Sequence, residues 1–171
     1  MRFVKLVLIS FLALFIAISG VFMLFPSQVR VSRIVQVDAP KKRVYEAIDD
    51  LRSWDKWNIF FINVPLTGKT FSAPSQRQAA FLKSDQVTVV LLSDSADRIK
   101  SFWKQGKGKN YTGGFNLVQT ETNSVIVEWY FDFDIRWYPW ERLGAMFLDK
   151  QLGPQMEQSL LNLKRQVENN P

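Results

Sequence analysis

Histidine and cysteine are both absent from this 171-residue chain. Their absence excludes a Ser-His-Asp triad, a thiolate nucleophile or redox couple, and the common zinc sites. Disulfides are excluded as well, so cysteine usage does not report the redox compartment. Any catalysis would rest on Asp, Glu, Lys, Arg or Tyr, and no pair of carboxylates stands out as general acid and base. Glycine is scarce at 8 residues, and none of them has the spacing of a phosphate loop or a dinucleotide-binding turn. Gly106-Lys107-Gly108 reads as a turn with a basic tip. No cofactor and no metal ion is expected, and neither internal repeats nor low-complexity segments are present.

Charge is absent from one long stretch. The 20 residues from Leu6 to Phe25 carry none and are nearly all apolar. A helix of that length matches the ~30 Å hydrocarbon core of a bilayer. Arg2 and Lys5 precede it, and Pro26 and Arg30 follow. A cleaved signal peptide is the competing reading, with a cut after Ser19 and Ala17 two residues before it. The apolar run continues through Val21, Phe22, Met23, Leu24 and Phe25, which a cleavage region does not do. Residues 1–26 are therefore expected to be an uncleaved transmembrane anchor and 27–171 a single globular head. A short basic tail before the span is the pattern of an amino-end-inside anchor. The expectation is a single-pass protein of a bacterial inner membrane with its head outside the cytoplasm. Arg30, Arg33, Lys41, Lys42 and Arg43 on the far side count against that orientation.

The net charge of +6 comes mostly from scattered Lys and Arg, most densely at Lys104, Lys107 and Lys109. No nucleic-acid motif accompanies them, so nucleic acid is not an expected partner and solvated surface accounts for most of these charges. Aromatics are plentiful instead, with 14 Phe, 6 Trp and 4 Tyr.

Along the head, Val29–Val37 alternates as a strand. Asp38-Ala39-Pro40 stops it and starts a helix, with Asp38 or Ala39 at the cap and Pro40 early in the first turn, whose Val44, Ala47, Ile48 and Leu51 recur at helical spacing. Ser53 begins a second short helical turn holding Trp54 and Trp57. Strands are expected over Arg77–Lys83, Val87–Leu92, Arg98–Lys104 and Tyr111–Gln119. Val125–Arg136 is the clearest: Val125, Val127, Trp129, Phe131, Phe133 and Ile135 share one face, with Glu128, Asp132 and Asp134 opposite. That is a sheet packed on one side and wet on the other. A long helix follows from Trp140 to Glu168, with Leu143, Phe147, Met156, Leu160, Leu163 and Val167 as its apolar stripe. Gly153-Pro154 is expected to kink or split it. Glu141 and Arg142 read as first-turn surface charges. The fold class is α+β, a curved antiparallel sheet wrapped around a long carboxyl-terminal helix.

Val35-Gln36-Val37-Asp38-Ala39-Pro40, then Val44-Tyr45-Glu46-Ala47-Ile48 and Asp50-Leu51-Arg52-Ser53-Trp54-Asp55-Lys56-Trp57, resembles the opening of the START-like (SRPBCC) superfamily. The nearest branch is the polyketide cyclase/dehydrase type. Gly153-Pro154-Gln155-Met156-Glu157 through Leu160, Leu163-Lys164 and Val167-Glu168 resembles that branch's closing helix. The matching pieces lie at both ends of the head. Asn58-Ile59-Phe60 departs from the Ser-Pro-Trp type of continuation, and Phe71–Ser93 lacks the branch's glycine-flanked strands.

The resemblance implies a helix-grip fold with a hydrophobic cavity between sheet and long helix, holding lipids, sterols, polyketides or similar molecules. Trp129, Phe131 and Phe133 would line the sheet wall, with Trp103 and Phe115 on neighbouring strands. Tyr111 would offer a hydroxyl inside, Met146 and Phe147 would face them from the helix, and Trp54 and Trp57 would lie near the mouth. Each aromatic has a plainer reading as core, because aromatics dominate interiors. The expected function is non-catalytic binding of an apolar small molecule or lipid at a membrane. A cyclase or dehydratase acting on a polyketide-like substrate is one alternative. A protein-interaction module with a closed cavity is the other, favoured if apolar patches near Trp137, Tyr138 and Trp140 are exposed.

Overall fold

The computed structural model of the chain describes residues 2–24, 26–62, 70–71, 80–83, 87–95, 97–105 and 110–169. Helix α1 (Arg2–Met23) buries none of its residues and is ~33 Å long at 1.5 Å per residue. It is long and apolar enough to cross a bilayer, a test that a secretory signal sequence also passes. The chain then forms β1 (Gln28–Val37), α2 (Lys41–Asp49), a 3₁₀ turn (Leu51–Ser53), α3 (Trp54–Trp57) and α4 (Ile59–Ile62). Strands β2 (Thr70–Phe71), β3 (Ala80–Lys83), β4 (Val87–Ser95), β5 (Arg98–Gln105), β6 (Asn110–Gln119) and β7 (Val125–Asp134) follow. Helices α5 (Pro139–Ala145) and α6 (Leu148–Asn169) close the chain.

The strands form one curved antiparallel sheet in the order β1-β7-β6-β5-β4-β3-β2. The first strand pairs with the last, from Gln28↔Asp134 to Val37↔Val125. The period-two pattern predicts the burial of β7: Val125, Val127, Trp129 and Phe131 are buried while the residues between them are half-buried. On the outer face Arg30 donates two hydrogen bonds to Asp132, at 2.6 and 2.8 Å, and Asn116 donates to Glu128 at 2.9 Å. Asn123 turns the β6–β7 hairpin with φ 59°, a left-handed conformation that Asn tolerates better than most residues.

Helix α6 lies across β1 and buries Met156, Leu160, Leu163 and Val167, as its stripe predicts. Two bonds tie it to the preceding short helices, and a third within α6 orients the Ser159 hydroxyl. Ser159 Oγ accepts from the Ile59 N–H at 3.0 Å and itself donates to the Gln155 carbonyl at 2.7 Å; Asn162 Nδ2 donates to the Trp57 carbonyl at 3.3 Å.

Two expectations about the helices are corrected. The long helix is not split at Gly153-Pro154, because Pro154 sits inside α6. The break falls at Met146–Phe147, where the Met146 and Phe147 N–H groups bond to carbonyls three residues back, the tight winding that commonly ends a helix. Gly153 serves packing instead. A Cβ there would collide with the Arg33 guanidinium, which crosses α6 at this point to reach Asp149 at 2.8 Å. The second correction concerns α2, which starts at Lys41 with Pro40 as its N-cap; Pro40 is not inside the first turn. Of the expected Arg77–Lys83 strand, residues 77–79 lie outside the described residues, as do Lys107 and Lys109.

Candidate functional site

Behind β5, β6 and β7 the inward side chains form one aromatic cluster. The short helices α3 and α4 drive Trp54, Trp57, Phe60 and Phe61 into it. Trp129 stacks on Phe115 at 5.3 Å and 19° and meets Phe60 edge-on at 5.9 Å. Trp57 meets Trp129 edge-on at 6.2 Å, and Trp54 lies 5.3 Å from Trp57 and 5.7 Å from Trp103. These are the offset and edge-to-face arrangements that aromatic quadrupoles favour. Phe131 reaches Trp103 at 5.2 Å and Tyr111 at 5.4 Å. It can do so because Gly113, its cross-strand partner, has no side chain. A Cβ on Gly113 would come within 2.7 Å of the Phe131 ring and 2.5 Å of the Tyr130 carbonyl oxygen.

The cluster is sealed at one end and partly open at the other. Trp54, Trp57, Phe115 and Trp129 have no accessible surface, so no space large enough for a water molecule touches them. Tyr111 and Phe133, 5.3 Å apart, are only half-buried. Strand register places this open end beside Gln28 and Asp134, where the chain emerges from α1. Tyr111 lies there with its phenol pushed up to about 12 by burial. It is therefore neutral and able to donate a hydrogen bond at ordinary pH.

Polar atoms inside the cluster are few and mostly donors. Trp54 Nε1 donates to the Ile48 carbonyl at 2.8 Å and Trp103 Nε1 to Ser101 Oγ at 3.0 Å. Trp57 Nε1, Trp129 Nε1 and Asn58 Nδ2 are buried with no acceptor. Among the described residues, the ionisable side chains on the inner face of the sheet are Tyr111 and Arg33. Arg33 is committed to Asp149 and to the Ser32 carbonyl. No group of His, Cys, Asp or Glu able to hold a metal occurs among the described residues.

The structure brings together Trp54, Trp57, Trp103, Tyr111, Phe115, Trp129, Phe131 and Phe133, eight of the ten residues proposed from the sequence. Trp54 and Trp57 lie at its sealed depth and not at a mouth, because the turn carrying them packs beneath α6. Met146 and Phe147 do not face the sheet. They occupy the α5–α6 junction and are exposed. Phe60 and Phe61 complete the cluster without having been anticipated. The apolar run Ile59–Ile62 just after Trp57 was the available signal, in a segment too short to show periodicity. A separate open cleft is lined by Lys56, Asn162, Arg165, Gln166 and Asn169 and includes none of the clustered aromatics.

A sheet gripping a long helix is also what comparison with known proteins finds. Residues 28–168 match the family model described as polyketide cyclase/dehydrase and lipid transport. The chain belongs to that family. No curated protein sequence matches it significantly. Among solved structures, a START superfamily protein from Mycobacterium smegmatis superposes with a TM-score of 0.61 at 16% identity, over 83% of this chain and 99% of the other. The Zhui aromatase/cyclase from Streptomyces sp. R1128 gives 0.62 at 15%, over 83% and 94%. The di-domain aromatase/cyclase StfQ of the steffimycin pathway gives 0.65 at 12%, over 83% and 51%. At such identities the likeness is one of fold.

Proposed function

We propose that this START-like domain binds, without catalysis, an apolar small molecule or lipid that carries at least one acceptor oxygen, and that α1 keeps it at a membrane. The chemistry of the inner face carries this reading. Its rings present apolar surface, its unpaired groups are N–H donors, and Tyr111 adds a neutral phenol at the open end. A buried donor left unpaired costs ~1–3 kcal/mol, so a carbonyl or hydroxyl oxygen brought among these groups would be favoured. Dehydration or cyclisation would call for an ionisable acid and base, and the inner face offers only Tyr111 and the engaged Arg33 among the described residues. The sealed depth and the exposed Trp137 and Trp140 also meet the terms set for a protein-interaction module. The unpaired donors Trp57 Nε1, Trp129 Nε1 and Asn58 Nδ2 favour binding instead, with the ligand entering where Tyr111 and Phe133 are half-buried and parting the rings beyond them.

Retention of α1 is supported by its length and by the apolar run that continues unbroken past Ser19, and none of its residues is buried. The head lies outside the cytoplasm, on the basic tail Arg2 and Lys5. Of the basic residues on the head side, Arg30, Arg33 and Lys41 are paired with Asp132, Asp149 and Asp97, within a folded domain whose charges weigh little in topology.

Native mass spectrometry with lipid extraction, on the full chain released from its own membranes, tests the ligand. One apolar passenger per chain is expected. Tyr111→Phe should retain it roughly two- to tenfold less well, the effect of one hydrogen bond. An empty chain that also takes up no fluorescent fatty acid or phospholipid refutes binding.

A further inference from the structure

Helix α5 is built inside out. Trp140 and Leu143 share the face of α5 that points away from the protein, and Trp137 in the bend before the helix and Phe147 in the turn after it are exposed beside them. In that order they are 63%, 47%, 49% and 54% exposed, and neighbouring Met146 is 58% exposed. The face turned inward carries Pro139, Arg142 and Ala145. The arginine is thus buried and the aromatics are outside, the reverse of a helix covering a core in water. Tyr138 stacks on Trp140 with ring centres 5.0 Å apart, and Trp137 lies tilted against Tyr138 at 4.7 Å.

The buried arginine says at what depth this patch lies. Arg142 Nη1 donates to the Phe22 carbonyl at 2.5 Å. That carbonyl belongs to the last turn of α1, where backbone acceptors have no intrahelical partner and a cation is favoured by the helix dipole. If α1 spans a bilayer, as proposed above, its ~33 Å only just exceeds the ~30 Å hydrocarbon core. The turn at Phe22 then emerges at the headgroup boundary, and Arg142 holds α5 at the same level. Trp and Tyr are the residues enriched at that boundary, and exposed Arg136 and Lys150 flank the stripe where lipid phosphates would lie.

We infer that α5 and the α5–α6 junction form a second, interfacial membrane contact, inserted into the leaflet from which α1 emerges. Insertion of Trp137, Trp140, Leu143, Met146 and Phe147 holds the head upright. The Tyr111–Phe133 opening then faces the lipid surface. Because the depth is set through α1, this inference rests on the anchor reading.

The natural absence of cysteine makes the test direct. Single substitutions Leu14→Cys, Trp140→Cys, Met146→Cys and Val118→Cys are made in the full chain, each labelled with NBD. The proteins are reconstituted in nanodiscs of phosphatidylcholine and phosphatidylglycerol, with and without lipid carrying a nitroxide near the headgroup. Val118, 58% exposed at the far end of β6, is the aqueous control. Blue-shifted emission quenched by nitroxide lipid is expected at 140 and 146 and absent at 118. Emission at 140 and 146 as aqueous as at 118, with Leu14 in hydrocarbon, overturns the interfacial contact and leaves the anchor intact. A blue shift without lipid quenching also overturns it and assigns the patch to a protein partner or a second copy. An aqueous Leu14 removes the anchor and this inference with it.

Discussion

Replacing Trp129 by alanine distinguishes a packed wall from an open one. Trp129 has no accessible surface and touches Trp57, Phe60, Phe115 and Phe131 at centroid distances between 5.3 and 6.2 Å. A tryptophan buries roughly 150–250 Å², worth about 4–6 kcal/mol at ~25 cal/mol per Å². Measured losses for such truncations are ~3–5 kcal/mol, since neighbours relax only partly. A domain of this size shifts its melting temperature by roughly 3 °C per kcal/mol, so a fall of about 10–15 °C is expected for Trp129→Ala. Trp129→Phe keeps most of the ring contact and removes an N–H that has no acceptor. It should cost about 1 kcal/mol or less. The assay is thermal unfolding of the ligand-stripped full chain, followed by near-ultraviolet circular dichroism. A loss below about 1 kcal/mol for Trp129→Ala would refute the sealed packing, because a side chain already facing empty space leaves little to lose.

Three further outcomes follow from the same geometry. Of the four tyrosines, one should titrate near pH 12 by ultraviolet absorbance, and Tyr111→Phe should remove that step. Because burial raises the phenol's folded pKa above its unfolded value near 10, its contribution to stability is complete below pH 10 and is lost as pH rises towards 12; a wild-type titration with all four tyrosines near pH 10 would contradict this. Gly113→Ala should destabilise by about 1–3 kcal/mol in denaturant unfolding, because the added Cβ meets the Tyr130 backbone carbonyl, which cannot swing aside. Gly153→Ala should change stability by less than about 1 kcal/mol. There the obstacle is the movable end of Arg33, displaced from a largely exposed ion pair, and alanine gains helix propensity of similar size.

How far the sequence could be read depended on which interactions are local. In β7 every second residue was assigned to its correct face from Val125 to Phe131, since pleating alone sets that alternation. The stripe Met156, Leu160, Leu163 and Val167 was legible for the same reason, as helical spacing permits one buried face. Of the candidate site, the strand aromatics were found because their strands were. Phe60 and Phe61 were missed because a four-residue helix shows no period. Arg142 gave no signal, since its partner is the Phe22 carbonyl, 120 residues away.

By itself the sequence determined the element order, the inward faces of the longer strands and of α6, the apolar amino-terminal helix, and the exclusion of His- and Cys-based chemistry. Only tertiary structure decided that Trp54 and Trp57 sit at the sealed depth of the cluster, that the helix breaks at Met146–Phe147, and that the stripe of α5 faces outward. Periodicity specifies that a helix has an apolar face; it does not specify what that face meets. At α6 the sheet meets it. At α5 the inward side is taken by Arg142 reaching for the end of α1, which turns Trp140 and Leu143 away from the protein.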